Sequence, residues 1–84
     1  MTQNETAARQ DLVARVRQAW AEVLDTTEDS VPLDVNFFDA GGNSMLLVLL
    51  TDLLNETGDE DVESVDLFQH STVTAQAELL AAAG

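Results

Sequence analysis

The chain has 84 residues, no cysteine and a formal net charge of −13, with 16 acidic side chains against three arginines. Its length predicts a single small domain, and the lack of cysteine excludes disulfides and thiolate metal sites. The acidity argues against nucleic acid and anionic membranes as partners, because both are bound mainly through lysine and arginine.

The first predicted element is an amphipathic helix. Residues 1–8 are polar and predict a flexible lead-in to one domain spanning residues 9–84. From about Arg9 to Leu24, apolar residues recur at the three- and four-residue steps of a helix with one buried face. Trp20 lies on that face, so we expect it to anchor the core rather than to stack on a ligand.

A long loop is predicted between the first and second helices, from Asp25 to Asn43. Its first six residues are polar, and Pro32 discourages a helix. Long connections in a small domain are usually functional or held down by packing. Five apolar side chains are available to hold this one: Val31, Leu33, Val35, Phe37 and Phe38.

The second helix is predicted from Ser44 to about Glu56, with Gly58 as a candidate C-cap. Its leucines share one broad face that should point into the core, and Ser44 lies outside that face. The leucines on the core face are Leu46, Leu47, Leu50, Leu53 and Leu54.

The rest of the chain predicts an acidic loop and two further helices. The loop covers residues 59–61, a short helical turn follows near Val65–Phe68, and a last helix runs from Val73 to Ala82. Ser71 or Thr72 is the candidate N-cap of that last helix. No segment alternates as a strand would. The fold class is therefore predicted as all-α, a small bundle of three main helices and one short helix.

The most informative residue for function, Ser44, lies in the segment from Phe37 to Leu50. Two aromatic residues precede Gly41 and Gly42, and the serine then opens a strongly apolar helix. Backbone N–H groups and the helix dipole at such a position favour an attached phosphate. The glycines leave little bulk to block the approach of another protein, and at least one of them could also serve a turn with positive φ.

Ser44 could have two other roles. A nucleophilic serine needs a base and an orienting group, but His70 is the only histidine, there is no lysine, and the Gly-x-Ser-x-Gly pattern is missing. A hydrolase is therefore disfavoured, whereas a purely structural helix cap remains open. His70 has no plausible zinc companions, so we interpret it as a surface or capping residue.

Three segments together resemble carrier proteins, the small domains that hold acyl or aminoacyl groups on a 4'-phosphopantetheine arm. The first is Gln18–Leu24, read Gln-Ala-Trp-Ala-Glu-Val-Leu. The second is the serine segment Phe37–Leu50, and the third is Val65–Ala77. Their order and spacing are also similar, and the resemblance covers roughly residues 10–81.

The resemblance implies a four-helix fold, no catalytic activity of its own, and Ser44 as the attachment point of 4'-phosphopantetheine. A phosphopantetheinyl transferase would supply the arm from coenzyme A, and its thiol would hold the cargo as a thioester. Further partners would be an adenylating or acyl-loading enzyme and condensing or tailoring enzymes of an assembly line. The Gly-Gly-Asn-Ser form, with Trp20 upstream, favours peptidyl carriers of nonribosomal synthesis over polyketide carriers.

Three positions depart from the usual carrier pattern and leave the cargo and partners open. Ala40 and Met45 stand where a larger apolar residue and a leucine are common, and Ser71 stands where a proline is common. The chain carries no charged-then-apolar leader, and its longest apolar run is far shorter than the roughly 20 residues that span a bilayer. We expect a discrete, monomeric, soluble cytoplasmic protein.

A docking patch for partner enzymes is predicted beside Ser44. Met45 and Val48 lie one and four residues beyond the serine on the same side of the helix, and acidic side chains border them. An apolar centre with a polar rim is typical of protein interfaces. The predicted patch consists of Asn43, Met45, Val48, Leu49, Asp52 and Glu56.

Two alternatives to a carrier remain at this point. The first is an unmodified acidic helical adaptor that binds basic partner proteins. The second is a calcium-responsive helical protein, which rests only on the acidic loops and lacks the spacing and turn glycine of an EF-hand. We expect those loops to bind divalent cations weakly and without specificity. Whether Ser44 accepts the arm separates the carrier from the adaptor.

Overall fold

Four α-helices make up the part of the chain that the structure describes. The computed structural model describes the backbone of residues 2–56 and 61–83 and the side chains of residues 9–56 and 61–82. No strand occurs within those ranges, and the predicted all-α class, with three longer helices and one short one, is confirmed. The helices are α1 (Thr2–Leu24), α2 (Ser44–Glu56), α3 (Ser64–Gln69) and α4 (Val73–Ala83), with a short 3₁₀ helix at Glu28–Ser30.

Helix α1 begins earlier than the sequence pattern predicts. It starts at Thr2 instead of near Arg9, because residues 2–8 contain no glycine or proline and can continue the helix even without an apolar face. The flexible character of residues 1–8 stays a prediction. Although α1 has 23 residues, none of the described helices combines the length and the apolar character needed to cross a membrane.

The end of α1 is fixed by backbone geometry at Asp25. This residue has a φ of 57°, in the left-handed region. The Thr26 N–H donates to the Ala21 carbonyl at 2.9 Å, and the Asp25 N–H donates to the Glu22 carbonyl at 3.4 Å. This pair of bonds is a Schellman motif, which usually places glycine at the left-handed position. The motif turns the chain sharply into the long loop.

The core forms where α1 packs against α4 and α2, while α3 packs against α2. Trp20 is fully buried, as predicted for a core anchor. On α2 the buried residues are Leu47, Leu50, Thr51 and Leu54, whereas Leu46 and Leu53 are only partly buried at the edge of the core. The predicted core face of α2 is therefore correct in direction and slightly too wide.

A buried polar contact joins three helices inside this core. Trp20 Nε1 donates to Oε1 of Gln76 at 2.8 Å, and Nε2 of Gln76 reaches the Leu67 carbonyl at 3.5 Å. Both Trp20 and Gln76 are fully buried. Because an unpaired buried polar group is costly, this arrangement favours one relative position of α1, α3 and α4.

Of the five apolar side chains available to hold the long loop, two are buried and a third is half-buried. Val31 and Phe37 are buried and Phe38 is half-buried, but Leu33 and Val35 are each 38% exposed. Leu33 is held through its backbone instead, since its carbonyl accepts the N–H of Thr74 at 3.2 Å. Leu33 and Val35 were also available to hold the loop by packing, but they lie at the surface, where the backbone bond of Leu33 holds that stretch.

The connection between α2 and α3 is closed by Asn55. Its side chain donates to the Val62 carbonyl and accepts the Val62 N–H, both at 2.9 Å. Thr51 on α2 and Ser64 at the start of α3 also share a hydrogen bond of 3.0 Å between their hydroxyls. The candidate C-cap Gly58 and most of the acidic loop at 59–61 lie outside the described residues.

Candidate functional site

The N-terminus of α2 is capped by Asn43. The Oδ1 atom of Asn43 accepts the N–H of Leu46 at 2.9 Å, and its carbonyl accepts the N–H of Leu47 at the same distance. These are the bonds of an N-cap residue, one position before the first helical residue. Asn43 is exposed, and capping gives it a structural role that the docking-patch prediction did not include.

Ser44 is consequently the first residue of the helix and not its cap. Its side chain is exposed, and no hydrogen bond of its hydroxyl is found among the described residues. The first N–H groups of any α-helix lack intrahelical acceptors, and among those of α2 the Asn43 side chain satisfies only that of Leu46. Ser44 therefore presents an unengaged hydroxyl beside free N–H groups and the positive end of the helix dipole.

The two glycines before Ser44 are required for different reasons. Gly41 has a φ of +115°, which L side chains rarely adopt. Gly42 faces the ring of Phe37, where an added Cβ would lie 2.7 Å from Cζ and closer still to two other ring atoms. The chain can approach Phe37 this closely only without a side chain, so both glycines fix the turn that delivers Ser44.

Phe37 belongs to a row of aromatic rings that runs from the core to the surface. Trp20 and Phe37 pack edge to face at 4.9 Å between ring centroids, and Phe37 and Phe38 do so at 5.8 Å. Phe38 then meets Phe68 of α3 at 5.7 Å. Edge-to-face pairs at these distances are favourable beyond their buried area. The row fixes the serine loop to both α1 and α3.

Hydrogen bonds from the α3–α4 junction hold the same loop. Asn36 Nδ2 donates to Oγ of Ser71 at 2.6 Å, and the Phe37 N–H donates to the Ser71 carbonyl at 2.7 Å. Oδ1 of Asn36 also accepts the N–H of Phe38 at 2.9 Å. A proline at position 71 would lack the hydroxyl that Asn36 contacts. Ser71 thus has a defined structural role, while Thr72 is the cap of α4 through its bond to the Ala75 N–H.

The side chains of the predicted docking patch all lie at the surface. Met45 is 72% exposed, Val48 52% and Leu49 47%, and the other members of the patch, Asp52 and Glu56 included, are exposed as well. An exposed methionine beside an exposed valine places apolar surface next to Ser44, as an interface centre would. Partner binding by this patch stays a prediction.

The structure divides this set of residues into two groups. Leu49, Asp52 and Glu56 line an open groove between α1 and α2, together with Glu22, Val23 and Leu53. Asn43, Met45 and Val48 are not part of the groove lining and lie nearer Ser44 along the helix. One predicted patch thus becomes two neighbouring surfaces.

Two exposed apolar residues of α3 were missed by the sequence analysis. Val65 is 53% exposed and Phe68 60% exposed, and Phe68 touches Phe38 of the serine loop. Helix α3 has only six residues, which is too short for its apolar periodicity to show which face is buried. The resemblance segment Val65–Ala77 was the one signal that pointed to this region.

The structure gives no support to a catalytic serine or a metal centre. His70 is exposed at the end of α3, where its N–H donates to the Asp66 carbonyl at 3.0 Å, and no bond to Ser44 is found within the described ranges. In the same part of the chain, no group of three or more His, Cys, Asp or Glu side chains could hold a metal ion.

Comparisons with known proteins agree on one family. A family model described as "Phosphopantetheine attachment site" matches residues 14–80. The chain is 34% identical over 80 residues to the nonribosomal peptide synthetase ecdA of Aspergillus rugulosus. That alignment covers 95% of this chain and 1% of the synthetase. The chain spans only 1–4% of the length of the curated relatives it matches.

Solved structures show the same fold. A free-standing peptidyl carrier protein from an uncharacterised secondary metabolic pathway of Acinetobacter baumannii aligns with a TM-score of 0.82 at 20% identity, covering 88% of this chain and 92% of that one. The structure of McyG A-PCP complexed with phenylalanyl-adenylate aligns with a TM-score of 0.75 at 28% identity. That alignment covers 93% of this chain and 13% of the McyG chain.

Proposed function

The chain belongs to the phosphopantetheine attachment family of carrier domains, and we propose that Ser44 is the residue that bears the arm. Members of this family are not catalytic themselves; they attach 4'-phosphopantetheine and carry intermediates on it. The expectation of a non-enzymatic carrier with this cofactor is confirmed by the family match. The identity of the modified residue is the step that the proposal adds.

One observation carries this assignment: Asn43, and not Ser44, caps α2. A capping serine would have its hydroxyl engaged with the helix backbone. Here the hydroxyl is exposed and unengaged within the described residues, at a helix start where a phosphate is favoured. The residues present therefore fit a phosphodiester-linked group at Ser44.

The chain contributes positioning and access, while the bound arm supplies the thiol that carries an intermediate as a thioester. Asn43 fixes the first turn of α2, and the Phe37 ring beneath Gly42 fixes the turn before it. N–H groups of the first helical turn face the site where phosphate charge would lie. A transferase can reach the hydroxyl because Ser44 is exposed at the surface.

A place in nonribosomal peptide synthesis is supported by the relatives, which include nonribosomal peptide synthetases and hybrid synthetases. Partners of this chain would then be a phosphopantetheinyl transferase, an adenylating enzyme, and condensing or tailoring enzymes. The net charge of −13 opposes self-association, which supports a monomer. Tethering raises the effective concentration of the cargo at each partner enzyme.

The intact mass of the chain tests the assignment of Ser44. After incubation with coenzyme A, magnesium and a broad-specificity phosphopantetheinyl transferase, the wild-type chain should gain one phosphopantetheine. The Ser44→Ala variant should gain none, whereas Ser30→Ala, which removes another exposed serine hydroxyl, should gain one. Modification of Ser44→Ala, or no gain in a folded wild-type sample, would overturn the proposal.

We also propose that Met45 and Val48 contact partner enzymes during modification and loading. Their large exposed fractions and their nearness to Ser44 on α2 support this role. Replacing both by serine should slow the transferase about tenfold, since apolar interface contacts are lost, while the far-UV circular dichroism stays unchanged. An unchanged rate would remove the proposal. Replacing Leu33 and Val35, also exposed but on the long loop, is the matched control.

A further inference from the structure

A single helical turn leads into α2, and Asn36 begins it. The Oδ1 atom of Asn36 accepts the N–H of Phe38 at 2.9 Å, and its carbonyl accepts the N–H of Ala40 at 2.9 Å. These are the bonds of an N-cap residue. We call residues 36–42 the pre-serine turn, because the turn ends two residues before Ser44.

Gly41 and Gly42 end the pre-serine turn. The Gly42 N–H donates to the Phe37 carbonyl at 2.9 Å, and the Gly41 N–H donates to the Phe38 carbonyl at 3.4 Å. This is a Schellman motif with Gly41 at positive φ. Because α2 begins two residues later, the pre-serine turn sets the direction in which the chain enters the first turn of α2 at Ser44.

Two hydrogen bonds to Ser71 orient the pre-serine turn. Asn36 Nδ2 donates to Ser71 Oγ at 2.6 Å, and the Phe37 N–H donates to the Ser71 carbonyl at 2.7 Å. Both Asn36 and Ser71 are half-buried, so water competes less for these bonds than at an open surface. The rings of Phe37 and Phe38 also anchor the turn, but apolar contact constrains orientation less than directional hydrogen bonds do.

The Asn36 amide uses both of its ends. Because Oδ1 accepts the Phe38 N–H, Nδ2 is directed to Ser71 and needs an acceptor there. The Ser71 hydroxyl supplies that acceptor, whereas the bond from the Phe37 N–H uses the backbone carbonyl and survives any side-chain change. Replacing the hydroxyl therefore removes one of the two bonds selectively.

Orientation matters at Ser44 because of the bonds that change there. In the attachment, Ser44 Oγ forms a bond to the phosphorus of coenzyme A that bears the pantetheine arm. The bond from that phosphorus to the bridging oxygen breaks, adenosine bisphosphate leaves, and the serine proton passes to a base of the transferase. The attacking and leaving oxygens lie roughly in line, and a misplacement of about 1 Å can lower a rate by about a hundredfold.

We propose that Asn36 and Ser71 are positioning residues for the attachment reaction at Ser44. Their side-chain hydrogen bond fixes the pre-serine turn against the α3–α4 junction, and with it the direction in which Ser44 Oγ meets coenzyme A on the transferase. Neither residue belongs to α2, since Asn36 lies eight residues before Ser44 and Ser71 lies twenty-seven after it. The inference deepens the proposed function and rests on Ser44 being the attachment residue.

Steady-state kinetics of the transferase, with the chain as the varied substrate, test the proposal. Ser71→Ala should lower kcat about fivefold to tenfold, because Asn36 Nδ2 loses its acceptor and the turn is less well oriented. KM should stay within about twofold, since Met45 and Val48 remain in place. Ser71→Thr keeps a hydroxyl and should hold kcat within about twofold of the wild type.

A double-mutant cycle separates the hydrogen bond from other effects. Asn36→Ala alone should lower kcat at least as much as Ser71→Ala, because it also removes the cap of the pre-serine turn. Adding Ser71→Ala to Asn36→Ala should lower kcat by less than about a further twofold. Fully multiplicative effects of the two substitutions would overturn the proposal, since the two residues would then act independently.

Asn55→Ala is the matched control for a loss of stability. It removes two hydrogen bonds of 2.9 Å to Val62 near the C-terminal end of α2 and leaves the pre-serine turn unchanged. Its kcat should stay within about twofold of the wild type, because the orientation of Ser44 is kept. Equal losses of kcat in Asn55→Ala and Ser71→Ala would show general destabilisation and reject a positioning role.

Amide NMR spectra of the unmodified chain give a readout that needs no transferase. The amide resonances of Gly42 and Ser44 should shift in Ser71→Ala and stay in place in Asn55→Ala. If the wild-type chain is not modified at Ser44, the proposed function is wrong and this inference with it. If the wild type is modified at Ser44 and the kcat of Ser71→Ala is unchanged, only the positioning role is rejected.

Discussion

At the scale of single residues, two neighbouring polar side chains have different roles in the fold. Asn43 closes the first turn of α2, and Ser44 is left exposed beside it. Either residue is a good N-cap by type, so the sequence could predict a cap here without deciding which residue provides it. The division matters because a capping hydroxyl would have to leave its partner before it could be modified.

This division predicts unequal effects of two alanine substitutions. Asn43→Ala should lower the free energy of unfolding by about 1 kcal/mol, because the Leu46 N–H loses its acceptor. Ser44→Ala should change it by less than about 0.5 kcal/mol, since an exposed side chain without a hydrogen bond is removed. Urea denaturation followed by circular dichroism measures both values. Equal losses for the two variants would contradict the assignment.

At the scale of elements, the helices that carry regular apolar spacing were predicted well. Helix α2 has the predicted bounds Ser44–Glu56, because seven of its residues are leucines or valine at helical spacing and a polar turn precedes it. The predicted α1 was too short, because residues 2–8 have no apolar periodicity that would indicate a helix. Their helix propensity is nevertheless sufficient to continue α1 toward its N-terminus. The groove between α1 and α2 could not be predicted, since it depends on how two separate helices pack.

Contacts between distant elements also could not be predicted from the sequence. Trp20 and Gln76 are 56 residues apart, and Asn36 and Ser71 are 35 apart. Nothing local marks Gln76 as buried, because glutamine on a helix is usually exposed. Its position becomes understandable only once α4 packs on α1 and the indole N–H needs an acceptor.

The Trp20–Gln76 contact predicts a specific coupling between α1 and α4. Gln76→Leu should cost about 1–3 kcal/mol of stability, because the indole N–H is left buried without an acceptor. In a Trp20→Phe background the same substitution should cost clearly less, since no donor is then stranded. A double-mutant cycle by urea denaturation measures the difference. Additive effects would show that the hydrogen bond contributes little.

At the scale of the whole molecule, charge is the dominant property. Sixteen acidic side chains and three arginines give a net charge of −13 on 84 residues. Such a charge opposes association with copies of the chain and with nucleic acids, and it would favour approach to basic surfaces. The same repulsion acts inside the folded chain and reduces its stability.

Internal repulsion predicts that salt stabilises the fold. Raising sodium chloride from about 20 mM to 500 mM shortens the screening length from roughly 20 Å to a few ångströms. The gain should be of the order of 1 kcal/mol, or roughly 4–8 °C in melting temperature for a domain of this size. Thermal melts followed by circular dichroism measure it. A melting temperature that stays constant or falls would show that repulsion is not limiting stability.

The central claim is that Ser44, left free by the Asn43 cap, bears the arm of this carrier domain. The most direct measurement is fragmentation mass spectrometry of the wild-type chain after treatment with coenzyme A and a phosphopantetheinyl transferase, because it localises the added group. We predict one phosphopantetheine, found on Ser44 alone. An arm on Ser30, Ser64 or Ser71, or a folded chain that accepts none, would contradict the claim.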